Sequence, residues 1–369
     1  MPPTRVCIVA RLMSRTATRL VLMLAVAAVI APALGCEQLD GRNRNRKGNR
    51  LFREMRFADA AGEYEKALKE VDDPTIHYNL ALSYSKVFKP GFEGDVDLQV
   101  KPSVACEAIP NTKTVNKQVC VKEGSTAFTP CDDKNVCASS FKCEKVDLCS
   151  IHDAQLADMA AQHFGAWLKS HPDDAESRGL MTQVWIDSSQ YGKAIDYWQK
   201  MLDAKPNDPE IMGALAGINL KANDWRKSIE WYLKVAGVAT DPSAKVAAYQ
   251  FIGNVAWSKL NSKTLSAAES VELADRGIGA LQKAAEIQPK NPKLVGLQAS
   301  IFNFRALSMG ASWAAALERA TAQDLQRDSR VLNDEAKKAQ GQDAPAAPAP
   351  GAGSATPTPA PAQKSATGG

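Results

Sequence analysis

Histidine is scarce in this chain: His77, His152, His163 and His171 are the four present among 369 residues. None stands in the paired arrangement that sets two imidazoles on one helix face around a metal. A glycine-rich phosphate loop and a nucleophile elbow are also missing. No enzyme is therefore expected, and no cofactor or metal. His77, beside Tyr78, reads as a packing residue. Excess charge is lacking too. The formal +4 comes from Arg5, Arg11, Arg15 and Arg19, and setting them aside leaves 41 basic against 41 acidic residues. A neutral chain argues against non-specific nucleic-acid binding. The apolar run Leu20 to Leu34 falls short of the ~20 residues that a membrane-spanning helix needs.

That run, following four arginines with no acidic residue before it, has the layout of an export signal, and Met13 opens a version of more usual length. It ends in Ala33-Leu34-Gly35-Cys36. These four residues resemble the lipobox of bacterial lipoproteins, with Ala33 where Leu is usual. The resemblance implies that residues 1–35 are removed and that Cys36 carries a diacylglyceryl group. Cleavage after Ala33, leaving a free Cys36 thiol, is the alternative. Cysteine arithmetic favours the lipid, because six cysteines then remain in the mature chain. Glu37 stands where Asp is the inner-membrane retention signal of well-studied bacteria, so the expected address is the outer membrane, facing the periplasm. Residues 36–46 read as a tether. Its Gly41–Lys47 stretch is a solvated linker or, alternatively, a basic contact to anionic headgroups.

The organising stretch is Met181–Pro206, MTQVWIDSSQYGKAIDYWQKMLDAKP. Trp185, a break at Ser188–Ser189, Tyr191, Ala194, Trp198 and Pro206 follow one another as in two antiparallel helices joined by a tight turn. The pattern resembles a tetratricopeptide repeat, a hairpin of ~34 residues that buries its apolar face only against further copies. Copies are found. The first, from about Arg42 to Pro74, carries Gly48, Leu51, Phe57, Ala60, Tyr64 and Ala67 in register. The second opens at Pro74 with Tyr78, Asn79, Leu80, Ala81 and Tyr84, then breaks at Phe88 and resumes near Asp153. The fourth runs from Pro209 to Pro242. The fifth has a first helix ending near Leu260 and a late second helix from about Leu265. The sixth runs from Pro292 to about Lys338 and ends in a helix facing water. The expected fold is all-α: an array of about six repeats over 47–338 with a disordered Ala/Pro-rich tail over 339–369. All seven Trp lie between Trp167 and Trp313, so the core is expected there, with Trp198 inside its hairpin.

Residues 89–152 form an insertion in the second repeat. It holds Cys106, Cys120, Cys131, Cys137, Cys143 and Cys149, spaced too widely for a usual structural zinc site. Behind an export signal they imply three disulfides, with the pairing left open among fifteen possibilities. The repeats' contacts are accounted for without it, so the insertion reads as a separate closed unit, either a passive stapled loop or a knob that meets a partner.

Repeats of this family bind peptides or protein surfaces in the groove lined by their first helices. By family position that groove presents Asn49, Phe52, Arg53, Tyr78, Leu82 and Lys86. Further along come Glu176, Gln183, Asp187, Glu210 and Lys221. A subfamily grips a chaperone's C-terminal carboxylate with two asparagines and several basic residues. Asn49 and Asn79 match its asparagines, but Glu176 and Leu180 stand where Lys and Arg are needed, so that activity is rejected. The resulting expectation is a lipid-anchored scaffold for assembly of an envelope complex such as a pilus, secretion or outer-membrane machine, docking protein partners through the groove or the insertion. A peptide- or glycan-binding module using the insertion and an accessory subunit of an envelope enzyme are the alternatives.

Overall fold

The computed structural model describes residues 39–122, 128–132, 134, 137–138 and 140–339. The export signal, Cys36 and nearly all of the Ala/Pro-rich tail lie outside the described residues. Thirteen helices and one four-stranded sheet make up what is described. The chain divides into two compact units, one ending at Ser228 and one beginning at Ile229.

The first unit opens with α1 (39–53) and α2 (Phe57–Leu68), followed by α3 (Pro74–Val87). Residues 39–46 of the expected tether form the first two turns of α1, and 36–38 lie outside the described residues. Gly41 and Gly48 are buried there. A Cβ on Gly48 would come within 2.5 Å of the Tyr64 ring, so only glycine lets α1 lie this close to α2. The basic residues of that stretch work within the fold: Lys47 Nζ donates to Glu63 Oε1 at 2.6 Å, and Arg44 lies 3.7 Å from the same buried carboxylate.

After α3 comes a short helix α4 (Val104–Ala108) and the sheet, then α5 (Asp153–Ser170), α6 (Ala175–Asp187), α7 (Tyr191–Ala204) and α8 (Pro209–Lys221). The division between units falls within α9 (Trp225–Val238).

Two local devices recur and explain why these helices start and turn where they do. Asp73, Asp174 and Asp208 each cap the helix that follows, accepting from Thr75 N, Ser177 N, and both Glu210 N and Ile211 N. Pro74 and Pro209 sit just inside, where no N–H is needed. The hairpin turns are also alike. Met55, Ser189 and Asn223 take left-handed φ values of 60°, 58° and 66°. The next residue in each case donates its N–H to a carbonyl five back: Arg56 to Leu51, Gln190 to Trp185, Asp224 to Asn219. Ser189 and Asn223 are 34 residues apart, one repeat length.

The sheet has the order β1-β4-β2-β3, all antiparallel, with β1 (Asp95–Val100), β2 (Lys113–Val121), β3 (Thr129–Pro130) and β4 (Lys142–His152). The three disulfides are Cys106–Cys149, Cys120–Cys137 and Cys131–Cys143. Cys120 and Cys143 face each other across the β2–β4 ladder, and each strand is bonded there to the intervening loop rather than to its neighbour.

The expectation of a separate unit fails. Val96, Leu98, Ala105, Ile109, Cys149 and Ile151 belong to the same buried cluster as Ala58, Ala61, Tyr84 and Leu156 of the repeats. At Gly62 in α2 an added Cβ would meet the Val104 carbonyl oxygen at 2.7 Å, so α4 lies directly on α2. Asp153, at the head of α5, ties both ends of the insertion: its Oδ1 accepts from Lys89 N at 2.9 Å, and its N–H donates to Gly94 O at 2.9 Å. Enough aliphatic residues alternate along β1 and β4 to make one face part of the core.

The core occupies the span that tryptophan marks, where Trp225, Met181, Leu215, Ile229, Ile252 and Leu273 are buried, and it also extends before it. Tyr64, Tyr84 and Phe164 are the largest fully buried side chains, whereas Trp313 is 82% exposed. Trp198 is half-buried at the edge of its hairpin, its indole N–H donating to Thr182 Oγ1 at 2.9 Å.

The second unit contains α10 (Pro242–Asn261), α11 (Ala267–Ile287), α12 (Pro292–Ser308) and α13 (Trp313–Ala339). Asp241 and Asn291 repeat the Asp/Asn-Pro cap, and Ser266 with Glu269 forms a capping box. Gly277 lets α11 approach α10, since its Cβ would lie 2.6 Å from that of Ala256. α13 buries only Ala315, Ala322 and Ser329, two turns apart, and presents its other faces to water. Among the described residues no helix is long and apolar enough to cross a membrane.

Candidate functional site

The first helices of the first unit present the residues that the groove expectation named, and the structure gathers some of them. Asn49, Phe52 and Arg53 on α1, with Asn79 and Leu82 on α3 and the hydroxyl-bearing edge of Tyr64 on α2, line one pocket of about 270 Å³. Asn49 lies one turn before Arg53, and Asn79 about one turn before Leu82, so each helix contributes a polar residue and a larger neighbour to the same wall.

The pocket's polar floor is a short chain. Tyr64 Oη donates to Asn49 Oδ1 at 2.6 Å, and Asn79 Nδ2 donates to the same oxygen at 3.2 Å. With Oδ1 taken twice, the Asn49 amide presents its NH2 away from these partners. Burial pushes the Tyr64 hydroxyl well above its ordinary range, while the Arg53 guanidinium opposes that shift. The hydroxyl is thus a held donor, and Arg53, exposed at the rim, is the site's cation. Apolar walls from Phe52 and Leu82 complete a site that can take an acceptor group with an apolar stem.

Tyr78, one residue from Asn79, turns to the other side of α3. Its ring lies 5.1 Å from Trp167 and 6.3 Å from Phe164. Burial, then the carboxylates of Glu176 and Asp174, push its hydroxyl upward. Asp174 itself is held down to about 2, first by the Ser177 hydroxyl and backbone N–H and then by the Trp167 indole at 2.7 Å. Glu176 and Asp174 are the carboxylates beside Tyr78, whereas Arg53 is the cation at the α1–α3 pocket.

Gln183 and Asp187 are spent on each other, Nε2 to Oδ1 at 2.6 Å. Asp187 stands far along α6, where its carbonyl accepts from Gly91 N at 3.2 Å. Lys86 and Lys221 are exposed and line none of these features. Two residues that complete the pocket, Tyr64 and Asn79, were expected as core and as a rejected match respectively. The 30-residue separation of Asn79 from Asn49 follows from one hairpin repeat and could have been paired from the register, whereas the place of Tyr64 depends on the close approach of α2 to Gly48. All six insertion cysteines are in disulfides, away from this pocket.

These features define a tetratricopeptide-type array of helical hairpins, interrupted in its second hairpin by a disulfide-bonded sheet. No protein-family model matches the chain, and no curated protein matches it. Similar solved structures include two of MamA. One is 16% identical over 50% of this chain and 93% of that chain, with a TM-score of 0.33. The other is 17% identical over 53% of this chain and 91% of that chain, also at 0.33.

Proposed function

We propose that this protein is a non-enzymatic scaffold that holds an extended segment of a protein partner along the first helices of its N-terminal unit, anchored to the cell envelope through a lipid on Cys36. The observation that carries the docking is the Asn49–Asn79–Arg53 pocket between α1 and α3, with its polar floor and apolar walls. A backbone carbonyl or carboxylate of the partner would sit against Arg53 and the asparagine amides. A basic side chain further along would face Asp174 and Glu176. The anchoring rests on the Ala33–Cys36 resemblance, and assembly of an envelope complex rests on that address together with the fold class.

Photo-crosslinking in the native envelope tests the docking. A photoreactive residue at Arg53 and another at Glu176 should yield an adduct with the same protein, and one at exposed Lys142 in the insertion should not. Adducts from Lys142 alone would move the docking surface to the insertion. For the anchor, mass analysis of the mature N-terminus should show a diacylglyceryl group on Cys36, and an unmodified chain beginning at Leu34 would overturn it.

A further inference from the structure

The outer end of the insertion gathers four sulfurs that the chain keeps well apart. The Sγ atoms of Cys120, Cys131 and Cys137 all lie within 4.8 Å of one another. Cys143 joins them in two ways: it is bonded to Cys131, and it stands opposite Cys120 in the β2–β4 ladder. Residues directly opposed in an antiparallel pair bring their Cβ atoms to about 4.5–5.5 Å. The Cys120–Cys137 and Cys131–Cys143 bridges thus lie side by side. The third bridge belongs to the core, where Cys149 is fully buried.

Fastening a surface loop to two strands needs no such convergence, since bridges at separate points would hold it as well. Four cysteine sulfurs in one cluster do more, because four thiolates are the tetrahedral set that zinc takes. At Zn–S bonds of about 2.3 Å, a tetrahedron puts its sulfurs roughly 3.8 Å apart. Cys131 therefore needs to close on Cys120 and Cys137 by no more than about one ångström. The wide chain spacing is no obstacle, because two strands and a loop supply the ligands in place of one local turn. Lys145, two residues along β4 from Cys143, shares its face of the strand, whereas Glu144 lies on the other. That cation favours the thiolate form. Asp132 is engaged locally, its Oδ1 accepting from Lys134 N.

We propose that this cluster is a redox-gated zinc site, in which Cys120, Cys131, Cys137 and Cys143 hold one Zn2+ when reduced and expel it when the two bridges form. In the oxidised protein the bridges deny the metal its ligands. A dithiol reductant attacks through its thiolate at a half-buried sulfur of Cys131, Cys137 or Cys143, and its second thiol resolves the mixed disulfide. Each bridge takes up two electrons and two protons in this way, and each dithiol leaves as a disulfide. One Zn2+ then displaces the four thiol protons and is held by four thiolates. A disulfide oxidant accepts four electrons in the reverse direction, restores both bridges and releases the ion. The loop is fastened to β2 and β4 in both states, by covalent bonds in one and by the metal in the other.

The test uses the full mature chain without a histidine tag, oxidised or reduced with a water-soluble phosphine and desalted without air. Titrated with Zn2+ against a chromophoric chelator, the reduced chain should bind one equivalent and the oxidised chain none. Co2+ in its place should give the visible absorption of a tetrahedral four-thiolate site. Cys131→Ser and Cys137→Ser should each weaken zinc binding by at least about tenfold, the loss that removing even a supporting group brings. Where a variant folds poorly, alkylation of the reduced wild type reads the same site. Zn2+ should protect Cys120, Cys131, Cys137 and Cys143 and leave the labelling of Cys106 and Cys149 unchanged. Oxidised glutathione should release one zinc for every four thiols lost. No zinc on the reduced chain, binding undiminished in both variants, or protection spread over Cys106 and Cys149 would overturn the site and leave two stapling bridges.

Discussion

At the scale of single residues, the helix caps carry much of what can be tested. Asp174 accepts from Ser177 N and Oγ and from the Trp167 indole, so its charged form is favoured and its folded pKa is depressed to about 2. A depressed carboxylate contributes stability that is present above the unfolded value near 3.9 and lost as pH falls toward the folded value. Asp174→Ala should therefore lower stability by about 1 kcal/mol at neutral pH, and the difference from wild type should shrink between roughly pH 4 and pH 2. A constant difference down to pH 2 would mean that the cap is not charged. Asp153 has the opposite sign. Its carboxylate is buried with Oδ2 lacking a protein partner, and burial outweighs the Lys89 N–H in pushing its pKa up. A raised carboxyl favours the protonated form, so ionisation costs stability as pH rises above the unfolded value near 3.9. Asp153→Asn keeps an acceptor for Lys89 N and should be neutral or stabilising at pH 7 in thermal melts, losing any advantage near pH 3. Trp198 illustrates a residue reading that changed: at the half-buried edge of α7, Trp198→Ala should cost less than the ~3–5 kcal/mol of a fully buried aromatic, chiefly through contact area and the bond to Thr182.

At the scale of elements, most helix ends could be read in the sequence because they rest on local chemistry. The Asp-Pro and Asn-Pro pairs at Pro74, Pro209, Pro242 and Pro292 start helices wherever they occur. The late second helix of the fifth repeat begins at Ala267, near the expected Leu265, because Ser266 and Glu269 form a capping box. The sheet was not read, although Val115, Val119, Val146 and Leu148 alternate with polar residues along β2 and β4. Those strands are half-exposed, so their pattern competes with the solvated-loop appearance that lysine and threonine confer. Contacts between elements were least legible. Gly62 looks like an ordinary helical glycine, where alanine should add roughly 0.5–1 kcal/mol. Gly165 in α5 has open space around its Cβ direction, and Gly165→Ala should deliver that gain. Gly62→Ala should instead destabilise, because the added methyl meets a backbone carbonyl of α4. Opposite signs for the two substitutions in chemical denaturation would demonstrate that α4 lies on α2. Equal gains would refute it. The α1–α3 pocket was partly legible for the same reason: Asn49 and Arg53 follow from helical register, whereas the Tyr64 hydroxyl at its floor depends on how α2 leans against α1 through Gly48.

At the scale of the molecule, the insertion decides how the first unit holds together. A repeat array is commonly a chain of nearest-neighbour contacts into which a loop can be spliced at a turn, and that expectation made the cysteine-rich segment dispensable. Here Val96, Leu98, Ile109 and Ile151 of the insertion are buried in the cluster that contains Tyr84, Ala157 and Phe164. Four such aliphatic side chains contribute on the order of 6–12 kcal/mol of transfer free energy, comparable to the ~5–15 kcal/mol that separates a folded domain from its unfolded chain. Part of that offsets the insertion's own ordering, yet removing it would also uncover the faces of α2, α3 and α5 that it shields. Replacing residues 90–151 by a short Gly/Ser turn should therefore unfold the first unit or leave it without a cooperative melt. The disulfides add a second handle on the same interface. Cys106–Cys149 closes a 43-residue span between α4 and β4 and has a fully buried half-cystine, worth about 4 kcal/mol by loop entropy. The other two bridges fasten a surface loop to the strands. Cys120→Ser with Cys137→Ser should lower the melting temperature modestly, while Cys106→Ser with Cys149→Ser should approach the effect of the full deletion. If the deletion variant melts as cooperatively and at the same temperature as wild type, the shared core is wrong and the repeats close over the gap by themselves.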